Sequence, residues 1–183
     1  FFLLLLMQII VFNNIELYGY INPYPYILFI LLYPVNPNKY GFLIWSFLLG
    51  LTIDIFCNSG GIHAAASVVL AYYRHRIFKI SFGLSYEYQT IKIGNVALNQ
   101  QITFVGLSVL IHHIVLFSLE AFRFDLLRIA MLKVLFSGIF TTIFSILIIN
   151  LFKVSKKWKK DFCLYLSYVL LWFLSPVFFN FRL

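Results

Sequence analysis

The sequence predicts an all-α polytopic membrane protein with about six transmembrane helices. Of its 183 residues, 62% are hydrophobic and 11% are charged, and the mean hydropathy is +0.94. A soluble domain is typically about 45–50% apolar and about 25% charged, so a soluble chain of this composition could not cover its surface with polar groups. The apolar residues also fall into runs near the length of helix that crosses a bilayer, about 20 residues.

The predicted helices follow from six apolar runs separated by short polar segments. The runs are residues 1–12, 20–33, 40–57, 62–78, 102–121 and 126–152. The second run is short and is bracketed by Pro23, Pro25 and Pro34, which predicts a tilted, kinked or partly interfacial helix. Residues 80–101 are the longest polar stretch, and we expect them to form an exposed loop.

The end of the chain carries one more apolar run, residues 162–181, which Pro176 interrupts. This run is either an extra C-terminal hydrophobic helix that spans the membrane or an interfacial helix, and the sequence leaves both open. We expect a transmembrane domain over residues 1–157 and a C-terminal hydrophobic extension over residues 158–183. Because the chain begins with Phe1, we expect the natural N-terminus and part of the first span to be missing.

The basic residues predict the orientation of the helices. The formal net charge is +8, and lysine and arginine concentrate on the cytoplasmic side of membrane proteins. With six spans, the basic residues at 74–92 and the lysines at 153–160 fall on the same side as the N-terminus. The N-terminus is therefore predicted to be cytoplasmic. Anionic membrane lipid explains this charge, and nucleic acid is not an expected partner.

Asp54 is the most informative charged residue in the apolar runs, because an ionisable group in lipid costs about 2.5–3.5 kcal/mol on insertion scales. Gly50 lies four residues earlier on the same helix face, where it allows close helix approach. We expect the carboxylate to face the start of the next span, at Gly61 and His63, whose helix N-terminus favours a negative charge. Three roles for Asp54 remain open: it stabilises the turn between the two helices, it binds a partner or ligand, or it takes part in proton chemistry.

Histidines occur together in the fifth run, where His113 and Glu120 share a face about 10.5 Å apart along the helix. His112 points elsewhere. The run has no His-Glu-x-x-His motif and no histidine pair four residues apart, so we expect neither a metal nor another cofactor. Glu120 is close in sequence to Arg123, and an ion pair between them is the simplest expectation.

A polar stripe is predicted in the sixth run, where Lys133, Ser137 and Thr141 repeat every four residues. Residues at this spacing share one helix face, and polar groups in a membrane helix face the interior of the bundle. Lys133 either pairs with Asp54 or Glu120, or extends towards the membrane surface.

Catalytic motifs do not occur in the sequence: it has no Gly-x-Ser-x-Gly, no P-loop and no Gly-x-Gly-x-x-Gly. We therefore expect a protein that is not an enzyme and that acts by binding other membrane proteins. The small residues at 60–67 let another helix pack closely, and that helix belongs either to this chain or to a partner.

Several segments resemble the bacterial rod shape-determining protein MreD family. The resemblance is carried by residues 18–29, 47–56 and 61–66, and by His112-His113 followed by Phe117-x-x-Glu120-Ala121-Phe122. Its most specific part is Gly-Leu-x-x-Asp, beginning at Gly50, followed by Gly-x-His-Ala, beginning at Gly61. The likeness extends over residues 1–157 and does not include the last apolar run.

The resemblance implies a non-catalytic scaffold in the bacterial inner membrane. Members of this family belong to the elongation complex that guides lateral peptidoglycan synthesis and maintains cell shape. They associate with the bitopic protein MreC and through it with MreB, the glycosyltransferase RodA and its transpeptidase partner. Their fold is similar to the six-helix S components of vitamin transporters. The residues carried over by motif are Gly50, Asp54, Gly61 and His63.

Two functions follow as alternatives. A scaffold that holds a single-span partner helix in a groove predicts small residues on a face open to lipid. A small-molecule binder similar to an S component predicts a closed polar pocket near Asp54, His63 and Glu120. A membrane enzyme or a proton-coupled transporter would need paired buried acids, for which Asp54 and Glu120 are the only candidates.

Overall fold

The structure, a computed structural model, describes residues 1–14, 22–34, 38–83, 93–121 and 127–153. Every regular element in these residues is helical, which confirms the predicted all-α class. The α-helices are α1 (Phe2–Ile10), α2 (Ile27–Leu32), α3 (Lys39–Cys57), α4 (Ile62–Phe82), α5 (Leu98–Glu120) and α6 (Leu127–Lys153), and short 3-10 helices cover Phe12–Asn14 and Ile93–Asn95. Each of the six predicted runs overlaps one of these α-helices, although α3, α4, α5 and α6 extend beyond their runs at one end.

Three helices are long and apolar enough to cross a membrane. They are α3, α5 and the Arg128–Leu151 part of α6. Helix α4 has 21 residues, but Arg74, Arg76 and Lys79 make its second half polar. Helix α1 has nine residues and α2 has six, which is shorter than the length of about 20 residues that spans a bilayer. The described residues therefore contain three candidate spans, half the predicted number.

The turn between α3 and α4 is encoded by residues that favour positive φ. Helix α3 is followed by its C-cap residue Asn58, whose φ is 52°, and Gly60 and Gly61 have φ of 68° and 97°. Glycine and asparagine adopt this left-handed conformation more readily than other residues. The reversal lets α4 return along α3, and α4 in turn packs along α5.

Helix α2 lies inside the bundle, and its residues Ile27, Leu28, Ile30 and Leu31 are buried. The residues before it, Pro23 to Tyr26, are also buried but are not helical. The second predicted run therefore forms one and a half turns of helix with an irregular buried entry. The prolines account for this, since proline cannot donate a main-chain hydrogen bond inside a helix.

Large apolar side chains remain exposed on the outer surfaces of α3, α5 and α6, including Ile44, Leu110 and Ile139. An extensive apolar surface is unusual for a soluble monomer and is typical of helices that face lipid. Together with the three candidate spans, this surface is consistent with a membrane protein.

The chain divides into two compact units, Phe1–Ile149 and Asn150–Leu183. In the second unit only the last turn of α6 is described. The predicted boundary at residue 157, the lysines at 156–160 and the apolar run at 162–181 lie outside the described residues. The polar stretch at 80–101 is described in part, and there α4 continues to Phe82 and α5 begins at Leu98.

Candidate functional site

The carboxylate of Asp54 connects the end of α3 to the start of α4. Its Oδ1 accepts hydrogen bonds from the His63 main-chain N–H at 3.0 Å and from the Ser59 hydroxyl at 2.5 Å. Its Oδ2 accepts from the Ala64 N–H at 2.8 Å, and Asp54 is only 5% exposed. The first N–H groups of a helix have no partner within the helix, and the carboxylate provides acceptors for two of them. The predicted contact between Asp54 and the start of the next helix is therefore present.

Gly50 allows the two helices to come this close. A methyl group at Gly50 would lie 2.5 Å from the Cα atom of Ala64 and 2.5 Å from the His63 carbonyl oxygen. Both atoms belong to main chain that has little freedom to move, so no side chain fits at this position. We call Gly50, Asp54, Ser59, His63 and Ala64 the α3–α4 clasp. Gly61 contributes to the clasp indirectly, through the positive φ that starts α4.

The side chain of His63 belongs to a second arrangement, centred on Tyr26. The Tyr26 hydroxyl oxygen lies 3.1 Å from His63 Nδ1 and 2.6 Å from His112 Nε2, and all three residues are buried. A phenol has one hydrogen to donate, so Tyr26 donates to one imidazole and accepts from the other. We call Tyr26, His63 and His112 the Tyr26 bridge, and it joins the start of α2 to α4 and α5.

Sequence reasoning missed Tyr26 and gave His112 no role. The rings of His112 and His113 lie 5.5 Å apart and are both buried, but their hydrogen-bond partners differ, and that of His112 is Tyr26. The available signal was the Asn-Pro-Tyr-Pro-Tyr segment at residues 22–26. Its prolines indicate irregular main chain, and irregular main chain within a membrane protein is tolerated only where it is buried against polar groups or lines a cavity.

Two members of the predicted polar stripe of α6, Ser137 and Thr141, face the interior of the bundle, whereas Lys133 is only partly buried and pairs with Glu120. Ser137 Oγ accepts a hydrogen bond from the Asn22 N–H at 3.0 Å, and Thr141 Oγ1 accepts from the Tyr24 N–H at 3.3 Å. Ser137 and Thr141 are buried, and so is Ser145 one turn further on. The hydroxyls of the stripe therefore accept hydrogen bonds from main-chain N–H groups in the irregular segment that leads into α2.

His113 and Glu120 are held by different partners. His113 Nδ1 lies 2.9 Å from the Val109 carbonyl oxygen, and its Nε2 lies 3.4 Å from Thr141 Oγ1. Glu120 pairs with Lys133, whose Nζ lies 2.7 Å from Oε1. Of the two acids predicted as partners of Lys133, the structure therefore selects Glu120. The expected pair between Glu120 and Arg123 involves a residue outside the described part of the chain.

Arg74 is buried, although its sequence position suggested a surface charge. It is 3% exposed, and the Phe42 and Phe78 rings lie 5.2 and 4.8 Å from its guanidinium carbon. The guanidinium donates to carbonyl oxygens at the end of α2, those of Leu31 at 3.1 Å, Pro34 at 3.2 Å and Tyr33. The carboxyl end of a helix favours a cation, so Arg74 holds α2 in place.

A groove of about 500 Å³ lies between α5 and α6. Its described lining is uncharged and is made of small and apolar residues, among them Gly106, Leu110 and Ile114 from α5, and Leu135 and Gly138 from α6. A methyl group at Gly106 would meet nothing within 4 Å, and one at Gly138 would meet only Val109 Cγ1 at 3.9 Å. Unlike Gly50, these two glycines face open space.

No group of three or more His, Cys, Asp or Glu residues is arranged to hold a metal ion in the described parts of the chain. No family model, no curated protein and no solved structure matches this sequence. The fold and the contacts above define a helical protein with three candidate membrane-spanning helices and two buried polar centres.

Proposed function

We propose that this chain is a non-catalytic, multi-pass scaffold of the bacterial inner membrane, with a cytoplasmic N-terminus and six helices in the membrane domain. Its partner is a single-span membrane protein that docks in the groove between α5 and α6. On the resemblance to MreD, this partner is an MreC-like protein of the elongation complex. Through that protein the chain associates with MreB, RodA and the transpeptidase. The observation that carries the proposal is the open, uncharged groove with glycines on its surface.

The dimensions of the groove suit one helix. Its lining runs from Gly106 to Ser118 on α5 and from Ala130 to Ile143 on α6, which corresponds to about 18–20 Å at 1.5 Å per residue. About three turns of a helix cover that length. Small residues let helix backbones approach in membranes, and an uncharged lining favours an apolar membrane helix over a soluble peptide.

The polar centres support a scaffold more than a site of chemistry. Both carboxylate oxygens of Asp54 accept hydrogen bonds from the chain itself, and Glu120 is paired with Lys133. Of the residues carried over from the resemblance, Gly50, Asp54 and Gly61 therefore act on the α3–α4 packing, and the His63 side chain belongs to the Tyr26 bridge. The alternative of a small-molecule binder similar to an S component requires a ligand to reach Asp54, His63 and Glu120, which already bond to three different parts of the protein.

The groove is tested by co-expressing the chain with the MreC-like protein of the same organism. We expect Gly106→Leu and Gly138→Leu to lower the partner recovered per molecule by about tenfold, because leucine would occupy the space that the partner helix needs. The amount of chain in the membrane should not fall, since a methyl group at Gly106 meets nothing and one at Gly138 makes only an ordinary contact with Val109 Cγ1. Gly41→Leu is the matched control, because Gly41 lies on α3 and its nearest neighbour atoms are 3.9 Å away.

A photoreactive side chain locates the partner directly. Leu135 lines the groove and is 55% exposed, whereas its neighbour Phe136 is 46% exposed and lies outside the groove. We expect the MreC-like protein to cross-link from position 135 and not from position 136. Equal cross-linking from both positions, or cross-linking only to lipid, to this chain or to a second copy, contradicts the proposal.

A further inference from the structure

The three basic residues in the second half of α4 differ in exposure. Arg74 is buried and donates to carbonyl oxygens at the end of α2, whereas Arg76 and Lys79 are exposed. The guanidinium carbon of Arg76 lies 5.4 Å from the centre of the Tyr73 ring, a distance at which the face of an aromatic ring attracts a cation. Residues three apart lie on neighbouring parts of one helix face. We call Tyr73, Arg76 and Lys79 the α4 basic face.

The exposed side chains of this half of α4 follow the order found at a membrane surface. Tyr72 and Tyr73 come first, and Arg76 and Lys79 lie about 4.5 and 9 Å further along the axis than Tyr73. Tyrosine is enriched at the boundary between hydrocarbon and water, and basic residues beside it face the anionic lipid surface. The headgroup layer is about 5–8 Å thick on each side of a bilayer, which matches the separation between the ring and the cations.

The start of α3 repeats this order at the same depth. The contact between Asp54 and Ala64 fixes the register of α3 and α4. Lys39 lies fifteen residues before Asp54, and Lys79 lies fifteen residues after Ala64, so each is about 22 Å from that contact. Lys39 and its neighbour Tyr40 are exposed. Two helices therefore present an exposed tyrosine and an exposed lysine at one end of the bundle, as a side that meets one membrane surface would.

Acidic residues are absent from this end of the described bundle. The residues that the structure describes include two acids, Asp54 and Glu120. Asp54 bonds to the start of α4, and Glu120 pairs with Lys133 where α5 ends. Both are far from the end of α4. The α4 basic face therefore presents two positive charges that no acid among the described residues neutralises.

We propose that the α4 basic face binds the phosphate headgroup of an anionic phospholipid. Arg76, which packs on the tyrosine ring, and Lys79 donate charge-assisted hydrogen bonds to the phosphate oxygens. A phospholipid fits this face better than an acidic peptide does, because the half-buried residues one turn before Tyr72 are Val68 and Val69, which an acyl chain covers. The proposal rests on the membrane location of the chain and not on the groove between α5 and α6, so the two are tested by separate measurements.

Native mass spectrometry of the full chain in detergent micelles measures its affinity for added phospholipid. We expect phosphatidylglycerol to bind about fivefold more tightly than phosphatidylcholine with the same acyl chains, and Arg76→Gln to remove most of this difference. Arg128→Gln is the matched control, because Arg128 is also exposed but lies on α6 before Lys133, at the other end of the bundle. Equal affinity for the two lipids, or the same loss in both variants, overturns the proposal.

The Tyr73 ring provides a second comparison. Tyr73→Leu removes the ring that orients Arg76 and should weaken the binding of phosphatidylglycerol by about threefold, whereas Tyr73→Phe keeps the ring and should bind as the wild type does. The amount of folded chain should not differ, because Tyr73 is exposed. Equal binding by the leucine and phenylalanine variants, at either level, would show that the ring does not orient Arg76 for a headgroup and would overturn the site.

Discussion

The α3–α4 clasp and the Tyr26 bridge both bury polar groups in an apolar bundle, but they join different parts of the chain. The clasp connects Asp54 to main-chain groups nine and ten residues later. The bridge connects Tyr26 to side chains 37 and 86 residues away. Any helix start offers the donors that the clasp uses, whereas the bridge requires three particular side chains brought together by the whole bundle.

His63 belongs to both centres, and this makes the comparison testable. Its main-chain N–H is part of the clasp and its imidazole is part of the bridge. Substitution of its side chain should therefore damage one centre and leave the other intact. Substitution of Asp54 or Gly50 should damage the clasp and leave the hydrogen bonds of the bridge intact.

The largest effect is expected from Asp54→Ala. This change removes the acceptor of three hydrogen bonds and leaves buried donors unpaired, so the free energy of unfolding should fall by about 3 kcal/mol or more. Unfolding by denaturant in detergent micelles measures it, with the amount of chain in the membrane as a second readout. Asp54→Asn keeps one acceptor oxygen and should lose less. If both variants are as stable as the wild type, the clasp does not stabilise the fold.

Gly50→Ala should have the next largest effect, about 2 kcal/mol, because the added methyl group meets main chain that cannot move aside. The control is Gly41→Ala, whose methyl group has only ordinary contacts. Alanine is the better helix former by about 1 kcal/mol, so Gly41→Ala should be neutral or stabilising. The same unfolding measurement compares the two variants, and a stable Gly50→Ala protein would contradict the close approach of α3 and α4.

Tyr26→Phe should lower the free energy of unfolding by about 1–2 kcal/mol, because it leaves both histidine nitrogens without their partner. His63→Ala should cost a similar amount. The double variant should cost less than the sum of the two, since both changes remove the same bond. By contrast, Tyr26→Phe combined with Gly50→Ala should be closer to additive, because the two changes share only His63, through its imidazole in one case and its main chain in the other. Additivity within the bridge, or coupling between the bridge and the clasp, would show that the two centres are not separate.

The smallest effect is expected from Lys133→Met, which breaks the ion pair with Glu120. The pair lies at the surface of the described bundle, where such pairs contribute about 0–1 kcal/mol. The loss of stability should therefore be smaller than that of Asp54→Ala, Gly50→Ala or Tyr26→Phe. Glu120→Gln is the control, because it neutralises the other partner. A loss as large as that of Tyr26→Phe would place Lys133 among the residues that hold α6 in the bundle.

The parts of the fold that sequence reasoning predicted correctly depend on near neighbours. The six apolar runs each overlap one of the described α-helices, and the Asn58 to Gly61 turn follows from residues that favour positive φ. Gly50 and Asp54 share a face because they are four residues apart, and the next helix begins a few residues later. The stripe of Ser137 and Thr141 follows from the same periodicity. In each case the relevant geometry is set by the helix repeat over a short stretch of chain.

Only the tertiary structure decided which distant groups meet. Arg74 has the sequence surroundings of a surface cation, yet it is buried and donates hydrogen bonds to carbonyl oxygens at the end of α2. Tyr26 and His112 are 86 residues apart, and nothing in the spacing of either residue indicates the other. The length of α2 depends on the same assembly, because its irregular entry needs the hydroxyls of α6. A side chain's helical face is a local property, but its partner depends on how the helices pack, and one chain's local pattern does not determine that.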